Sequence, residues 1–391
     1  ALTSRIARLR ARWAPGPWTS EATGITVVVT LLVLLGLVMS FSASFVDAAQ
    51  AGDTFGVFRR QLMWGTVGIA AFALTARLDH RIWRRLAWPL LGLALVGLVL
   101  VLVPGVGITR YGSTRWLGYP PLVVQPSEIA KLAVLLWLAD VLHRKRPADG
   151  SVHTLEHLMV PAVPVLIALS GLVLLQPDLG TTILLALIVG AILYVEGLPG
   201  KVVAGLAAAG VSGIALLAIV APYRMARIHG WLHPEADPLG TGYQLIQSRL
   251  ALGSGGVFGL GLGSSRGKWN FIPNPETDFI FAILGEELGL VGAGVVLALF
   301  AALLYLGLKI AYVCEEGFGR TVAFAITAWV VGQALINVGT VTGLLPITGV
   351  TLPLVSVGGS SLVTTLVALG ILTSIARRPP QPRPVPTGAT R

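Results

Sequence analysis

The sequence predicts an all-α, polytopic membrane protein with about ten transmembrane helices. Of its 391 residues, 54% are hydrophobic and only 12% are charged, and the mean hydropathy is +0.80. These values are typical of chains that cross a bilayer several times. Apolar stretches near the spanning length cover residues 24–46, 61–76, 86–103, 128–143, 158–175, 181–195, 202–221, 285–309, 321–342 and 353–376.

The first apolar stretch is predicted to be retained as a helix. Four arginines precede it, and it is long enough to span and has no A-x-A cleavage site after it. The short loop at 77–85, between the second and third stretches, is basic, which suits a connection beside anionic lipid headgroups.

The fourth stretch begins with the polar motif Gln125-Pro-Ser-Glu-Ile-Ala-Lys131. Ser127 can cap the helix, and Glu128 and Lys131 lie one turn apart on the same face. Two interpretations stay open. The pair neutralises itself so that a span can begin with charges, or Lys131 faces a cavity and binds an anion, joined by Arg115 from the preceding loop.

The fifth and sixth stretches are separated by Gln176-Pro-Asp-Leu-Gly-Thr181. Pro and Gly interrupt helices, and Asp178 is a favoured residue type for capping the helix that follows. We therefore interpret this motif as structural.

A long polar segment, residues 222–278, connects the seventh and eighth stretches and contains a Gly-rich run at 253–267. The run is not a phosphate-binding loop of the Walker A type, because Leu262 stands where that pattern requires Gly and Trp269 where it requires Ser or Thr. Glycines near a membrane more often allow irregular backbone to pack where protein covers it.

Asp278 is the leading candidate for a catalytic group. It lies at the edge of the polar segment, and the three residues after it are bulky and apolar. Such surroundings raise the pKa of a carboxyl group towards the range that suits a general base. The alternative is that Asp278 caps the eighth helix. Glu286 and Glu287, two turns later, are either further acids of the site or partners for basic residues of the polar segment.

Loop charges predict the orientation. With ten spans both termini share one side, and 18 of the 28 lysines and arginines then fall on that side against nine on the other. Because basic residues concentrate in cytoplasmic loops, both termini are predicted to be cytoplasmic. The formal charge of +10 therefore indicates topology and not nucleic-acid binding. Four polar segments share the outer face, which indicates one site there: 110–128, 176–181, 222–278 and 343–361.

These patterns predict one transmembrane domain, residues 24–376, with residues 222–278 as its large outer loop. A basic cytoplasmic segment, residues 1–23, precedes it, and a Pro-rich cytoplasmic tail, residues 377–391, follows. The absence of an internal repeat argues against a transporter built from inverted repeats.

Six motifs together resemble the shape, elongation, division and sporulation (SEDS) family over residues 24–376. They are Gly112-Ser-Thr-Arg-Trp116, Gln125-Pro-Ser-Glu-Ile-Ala-Lys131, Gln176-Pro-Asp-Leu-Gly-Thr181, Gly242-Tyr-Gln-Leu-Ile-Gln-Ser248, Thr277-Asp-Phe-Ile-Phe-Ala282 with Gly285-Glu-Glu-Leu-Gly289, and Leu344-Leu-Pro-Ile-Thr-Gly349 with Gly358-Gly-Ser-Ser361. Segments near the first two spans are most similar to the cell-division branch, with the elongation branch as the alternative. One departure is Pro273-Asn-Pro-Glu276, where the family usually has Pro-Glu-x-His.

The resemblance implies an inverting peptidoglycan glycosyltransferase that polymerises lipid II at the outer face of the bacterial cytoplasmic membrane, at the division septum. Asp278 would be the base for the acceptor hydroxyl, and the anionic pyrophosphate of the donor would meet a substrate-binding set. By the resemblance that set is Arg115, Glu128, Lys131 and Lys268.

The resemblance also implies partners: lipid II, the membrane, a class B penicillin-binding protein and other division proteins. A divalent cation, Mg²⁺ or Mn²⁺, is the expected cofactor at the pyrophosphate, with ligands that the resemblance does not specify. Two other classes stay open, because a lipid II flippase would use the same charged cavity without a chemical step and a scaffold would need only the helical faces.

Overall fold

The computed structural model describes residues 16–50, 52–110, 112–145, 154–220, 222–268, 272–273 and 275–377. Most of the N-terminal segment 1–23 and of the tail 377–391 lies outside the described residues. The helices are α1 (Ser20–Gln50), α2 (Gly56–Arg77), α3 (Ile82–Leu102), α4 (Pro126–Arg144), α5 (Leu155–Leu175), α6 (Leu179–Val195), α7 (Gly200–Val220), α8 (Pro222–Leu232), α9 (Tyr243–Ser254), α10 (Ile280–Val313), α11 (Gly317–Thr342) and α12 (Gly359–Ala376).

A helix lies on each of the ten apolar stretches. Within the described residues, six helices are long and apolar enough to cross a membrane: α1, α3, α5, α10, α11 and α12. A helix pairs its own backbone groups, which is the requirement that lipid imposes on a spanning segment. The structure is therefore mostly helical and has the character of a multi-pass membrane protein.

The two ends of the bundle differ. The beginning of α1 and the end of α12 lie together, because Thr19 Oγ1 donates to the Ala376 carbonyl at 3.0 Å. Lys309 Nζ lies 2.8 Å from Glu21 Oε1 at the same end, which we call the terminal end. The opposite end, where α2, α4, α6 and α12 begin, is called the pocket end.

Helix α4 lies in the centre of the bundle. All of its residues from 130 to 140 are buried, and its apolar side chains are distributed around the whole helix, as expected for a helix that packs on every side. It begins at Pro126, after the N-cap residue Gln125. The expectation that Ser127 caps it is wrong, because the Ser127 hydroxyl accepts a hydrogen bond from Gln125 Nε2 at 3.0 Å.

The all-α prediction is wrong between residues 108 and 124, where a small antiparallel sheet has the strand order β1-β2-β3. Its strands are β1 (Ile108–Arg110), β2 (Ser113–Tyr119) and β3 (Leu122–Val124). In register, Ile108 pairs with Trp116 and Leu117 with Val124. Strands of three to seven residues are too short for a two-residue alternation to stand out from neighbouring apolar spans.

The predicted outer loop 222–278 contains helices of its own, α8 and α9, with a 3-10 turn at Pro234–Ala236 between them. The last predicted span is also too long, because α12 begins at Gly359 and the apolar residues before it form irregular backbone. Neighbouring groups satisfy this backbone: Gln333 Nε2 donates to the Thr351 carbonyl at 3.0 Å and Val357 N to the Glu276 carbonyl at 2.9 Å. Irregular backbone is tolerated at such a place only with partners of this kind.

Helix α10 is interrupted at Gly289, where φ is 68° and ψ is −166°. The Gly-rich run fills the interruption. Leu290 N donates to the Gly256 carbonyl at 2.9 Å, and Leu260 N donates to the Glu286 carbonyl at 3.0 Å. The interpretation of this run as closely packed irregular backbone is therefore confirmed.

Candidate active site

A pocket of about 520 Å³ opens at the pocket end. Its walls come from the beginnings of α2, α4 and α6, from the sheet, from α8 and from residues 347–361. Its charged lining residues are Arg60, Arg115, Arg227, Glu128, Asp178, Glu276 and Asp278. Segments that are far apart in the sequence thus bring cations and carboxylates to one cavity.

Asp278 lies on a turn that two neighbouring elements hold in place. Asn337 Nδ2, on α11, donates to the Asp278 carbonyl at 2.8 Å and to the Val350 carbonyl at 2.7 Å. Ser356 Oγ donates to the Thr277 carbonyl at 2.6 Å. These bonds engage only the backbone, so they fix the turn and leave the carboxylate directed at the pocket.

The alternative role of Asp278, as the cap of the eighth helix, is wrong. The N-cap residue of α10 is Phe279, and no side chain caps the helix. Within the described part of the chain, no hydrogen bond to the Asp278 carboxylate contributes to its ionisation. Gly349 faces it, and a Cβ atom at Gly349 would lie 3.5 Å from Asp278 Oδ2.

Burial raises the pKa of Asp278 to about 6. Arg115 and Arg227 oppose this shift through their positive charge, and the Asp178 carboxylate adds to it. The direction agrees with the expectation from the apolar neighbours. A carboxylate with this pKa is mostly ionised at neutral pH and is a stronger base than an exposed aspartate.

Arg115 lines the pocket and is held by the turn at 176–178. Its Nε donates to the Gln176 carbonyl at 3.0 Å, its Nη2 donates to the Pro177 carbonyl, and its Nη1 lies 3.7 Å from Asp178 Oδ1. Asp178 in turn accepts from Thr181 N at 3.1 Å and caps α6. The structural interpretation of Asp178 is confirmed, and the same residue also forms part of the pocket wall.

Glu128 lines the pocket, whereas Lys131 lies behind it. Lys131 is fully buried, and its Nζ is 2.9 Å from Glu128 Oε2 and 3.1 Å from Gln333 Oε1. The ammonium group also lies 5.0 Å from the centroid of the Trp329 ring. The self-neutralising pair is therefore the correct interpretation, and the prediction that Lys131 faces a cavity is wrong.

Lys268 is a second correction. It does not line the pocket; its Nζ donates to the Gly263 carbonyl and lies 3.4 Å from Glu287 Oε1. Glu287 also accepts from Ser42 Oγ at 2.7 Å, and Glu286 accepts from Arg266 N at 2.9 Å. Both glutamates are thus partners of the Gly-rich run and not further acids of the site. The reason is that the run folds back onto α10.

Sequence reasoning missed the two other arginines of the pocket. Arg60 is on the first turns of α2, and Arg227 is on α8, where its Nη1 donates to the Ile347 carbonyl at 3.4 Å. The charge count includes both only among the nine basic residues of the outer side. Each arginine lies in the sequence close to the end of a predicted span, on the side of the membrane predicted for Asp278. That position could have predicted that both arginines belong to the pocket.

The described residues contain no group of three or more His, Cys, Asp or Glu side chains that could hold a metal ion. Two of the pocket carboxylates already have partners in Lys131 and Arg115. A cation at this pocket would therefore depend on oxygen atoms that a ligand supplies, as Mg²⁺ does when it binds with phosphates.

A family model described as "Cell cycle protein", for FtsW, RodA and SpoVE, matches residues 22–380. "Probable peptidoglycan glycosyltransferase FtsW" of Mycobacterium tuberculosis is 42% identical over 370 residues, which are 94% of this chain and 70% of the relative. "Stage V sporulation protein E" of Bacillus subtilis is 41% identical over 355 residues, which are 90% of this chain and 96% of the relative.

Solved structures of similar fold are also similar to this chain in sequence. A chain from the structure of a peptidoglycan synthase complex is 32% identical, with a TM-score of 0.74 over 92% of this chain and 98% of that one. The rod shape determining protein RodA of Thermus thermophilus is 30% identical, with a TM-score of 0.67 over 90% of this chain and 96% of that one.

Proposed function

Because the chain belongs to the FtsW, RodA and SpoVE family of cell cycle proteins, we propose that its pocket is the active site of a multi-pass peptidoglycan glycosyltransferase. One observation carries this proposal. The Asp278 carboxylate, with a pKa raised to about 6, faces a pocket that three arginines also line. The site therefore combines a proton acceptor with groups that bind an anion.

The substrate that fits this combination is lipid II, a disaccharide joined through pyrophosphate to a polyprenyl chain. Arg60, Arg115 and Arg227 would bind the pyrophosphate, and the polyprenyl chain would remain in the bilayer. In this proposal all ten helices on the apolar stretches cross the membrane. Both termini are cytoplasmic, and the pocket end faces outward.

The reaction requires one carboxylate. Asp278 takes the proton of the acceptor sugar's hydroxyl, and the hydroxyl oxygen forms the β-1,4 bond to the anomeric carbon of the donor. The bond from that carbon to the phosphate oxygen breaks, and undecaprenyl pyrophosphate leaves with the electron pair. The α-linked donor is inverted in a single displacement, so no covalent intermediate with the enzyme is needed.

Glu128 and Lys131 have a supporting role in this proposal. Gln333 lines the pocket, and it accepts from Lys131 Nζ while it donates to the Thr351 carbonyl. The buried pair thereby fixes the side of the pocket that faces Thr351, without a contact between Lys131 and substrate. Lys268 likewise has a structural role in this proposal, because its ion pair with Glu287 holds the Gly-rich run against α10.

Mg²⁺ or Mn²⁺ is proposed only as a cation that accompanies the pyrophosphate, where it would neutralise the charge of the leaving group. One or two protein carboxylates suffice for Mg²⁺ when phosphates supply other ligands. Glu276 lines the pocket and is the candidate protein ligand, which leaves Asp278 for the proton transfer.

The proposed partner is a class B penicillin-binding protein, whose transpeptidase would crosslink the glycan product. The match to a chain from a peptidoglycan synthase complex supports an assembly of this kind. The proposed place of action is the division septum, together with other division proteins. This is supported by two relatives named FtsW, each 42% identical.

The test is glycan polymerisation from lipid II by the purified protein with its partner, comparing wild type with Asp278→Asn. We expect polymer yield to fall by about a hundredfold or more, because the amide has no proton-accepting oxygen of comparable basicity. Glu235→Gln is the matched control, since it makes the same acid-to-amide change at an exposed position and should leave the yield unchanged.

The Asn variant should unfold at the same temperature as wild type or a higher one, because the burial that raises the pKa of Asp278 disfavours the charged form. Near-wild-type polymer from Asp278→Asn would reject the general-base assignment and make Glu276 the next acid to test. A flippase without polymerase activity predicts no polymer from either protein.

A further inference from the structure

The Gly-rich run carries a row of exposed apolar side chains. We call residues 255–263 the glycine loop. Its side chains Val257, Phe258, Leu260 and Leu262 are 54%, 83%, 44% and 58% exposed. A contiguous exposed group of large apolar side chains marks a surface that binds protein or membrane.

The glycine loop is fixed against α10. Four backbone hydrogen bonds join them, two on each side of the interruption at Gly289: Leu260 N to Glu286 O at 3.0 Å, Gly261 N to Glu287 O at 3.0 Å, Leu290 N to Gly256 O at 2.9 Å and Val291 N to Val257 O at 3.1 Å. The loop therefore lies at the same height along the bundle as residues 286–291.

That height corresponds to the edge of a bilayer. From Leu290 to Lys309, α10 rises about 30 Å at about 1.5 Å per residue, and the hydrocarbon core of a bilayer is about 30 Å thick. Lys309 pairs with Glu21 at the terminal end, which marks a charged level there. The glycine loop then meets the opposite boundary of the hydrocarbon core.

The exposed surface of α10 continues from the loop towards the terminal end. Leu290 and Val291 are 69% and 51% exposed, and Val295 one turn further is 53% exposed. Because α10 is long and apolar enough to span a membrane, we expect this exposed apolar face to contact lipid. The apolar side chains of the glycine loop extend this exposed apolar face of α10 towards the pocket end.

The two faces of this region differ in chemistry. On the side against α10, Ser265 and Lys268 are buried and bind Glu286 and Glu287. Towards solvent, the apolar side chains of the loop are followed a few residues later in the chain by the exposed Arg266. Apolar side chains with a basic residue beside them match the boundary between acyl chains and headgroups.

We propose that the glycine loop is an interfacial membrane anchor that inserts Phe258 and its apolar neighbours into the lipid leaflet at the pocket end. The occupant of this surface is phospholipid. The inference rests on the exposed side chains of the loop and its neighbourhood and on the course of α10, so it is independent of the reaction proposed for Asp278.

The experiment measures the depth of a nitroxide spin label. The only cysteine of the chain, Cys314, is replaced by Ser, and Phe258→Cys is introduced and labelled. The full chain is purified without a partner and reconstituted into vesicles of phosphatidylethanolamine and phosphatidylglycerol. Collision of the label with oxygen and with a water-soluble nickel chelate is compared with that at Val295→Cys, in the span, and at Glu235→Cys, on the exposed 3-10 turn.

We expect the label at position 258 to lie about 5–10 Å below the headgroup boundary, with oxygen access close to that at position 295 and nickel access several-fold below that at position 235. Leu262→Cys is the second variant, and it should give the same ordering. Nickel access at 258 and 262 equal to that at 235 would place the loop in water and overturn the proposal. Exclusion of both oxygen and nickel would show a protein contact instead of lipid and would overturn it equally.

Discussion

Asp278 has a raised pKa, and no hydrogen bond from the described residues restrains its carboxylate. Burial raises the pKa of Asp278 to about 6, and the general base must be ionised to accept a proton. The base is therefore available above this pH and is lost as the pH falls through it.

Glycan synthesis by the wild type should consequently be constant near neutral pH and fall by about tenfold per pH unit below about 6. The measurement is the initial rate of polymerisation between pH 5 and 8, flanked by assays at neutral pH that confirm reversibility. The residual activity of Asp278→Asn should lack this limb. A rate that stays constant down to pH 5, as expected for a base with the usual aspartate pKa of about 4, would contradict the assignment.

Lys131 and Glu128 form a buried ion pair whose members depend on each other. Lys131→Met should lower the free energy of unfolding by about 3–5 kcal/mol, because it leaves Glu128 without its cation. Adding Glu128→Gln should restore most of this loss. Thermal unfolding of the wild type, the two single variants and the double variant in detergent measures the coupling.

If Lys131 instead contacted the substrate, Lys131→Met would raise the KM for lipid II without any change in unfolding temperature. Arg115 offers a comparison, because it lines the pocket and donates to a backbone carbonyl. Removing its side chain leaves a neutral carbonyl without a partner, whereas removing Lys131 leaves a buried carboxylate without one. Arg115→Met should weaken the use of lipid II with a smaller effect on stability.

At the scale of elements, the interruption of α10 joins the outer segment to the bundle. Gly289 has a φ of 68°, and a Cβ atom there would lie 2.3 Å from the Gly259 nitrogen, 2.5 Å from the Val257 carbonyl oxygen and 2.6 Å from the Val257 carbonyl carbon. A side chain at this position is therefore disfavoured by both the backbone conformation and the contact.

Gly289→Ala should destabilise the protein by more than about 1–3 kcal/mol, the usual cost of a strained backbone position. Gly294→Ala is the matched control on the same helix, since nothing lies within 4 Å of its Cβ position, and it should be neutral or stabilising by about 0.5–1 kcal/mol. Thermal unfolding followed by tryptophan fluorescence compares the two. Equal stability of both variants would show that the glycine loop does not depend on this close approach.

At the scale of the whole molecule, the pocket collects segments from residue 57 to residue 361 at one end of the bundle. The proposed orientation places this end outside and both termini in the cytoplasm. A reporter active only in the cytoplasm should therefore be inactive when fused after Gly240 and active when fused after Arg377. Activity at Gly240 would contradict the orientation and, with it, an outward-facing site.

The fold class and the principal acid follow from short-range properties of the chain. Apolar stretches of spanning length predict helices because lipid demands internal backbone hydrogen bonding, and the apolar neighbours of Asp278 are adjacent in sequence. The cap at Asp178 is equally local, since Asp178 and Thr181 are three residues apart.

Other features depend on contacts between distant segments. Lys268 pairs with Glu287, and the two meet only when the Gly-rich run folds against α10. Arg227 reaches the pocket only because α8 lies beside residue 347. The irregular backbone at 353–358 is apolar enough to predict a helix, yet partners next to Asp278, the Thr277 and Glu276 carbonyls, stabilise it in another conformation. Local sequence therefore determined which segments are helical and which acid is perturbed, whereas packing of the helices determined which charges line the pocket, because a charge is positioned by its partner and that partner is remote in the chain.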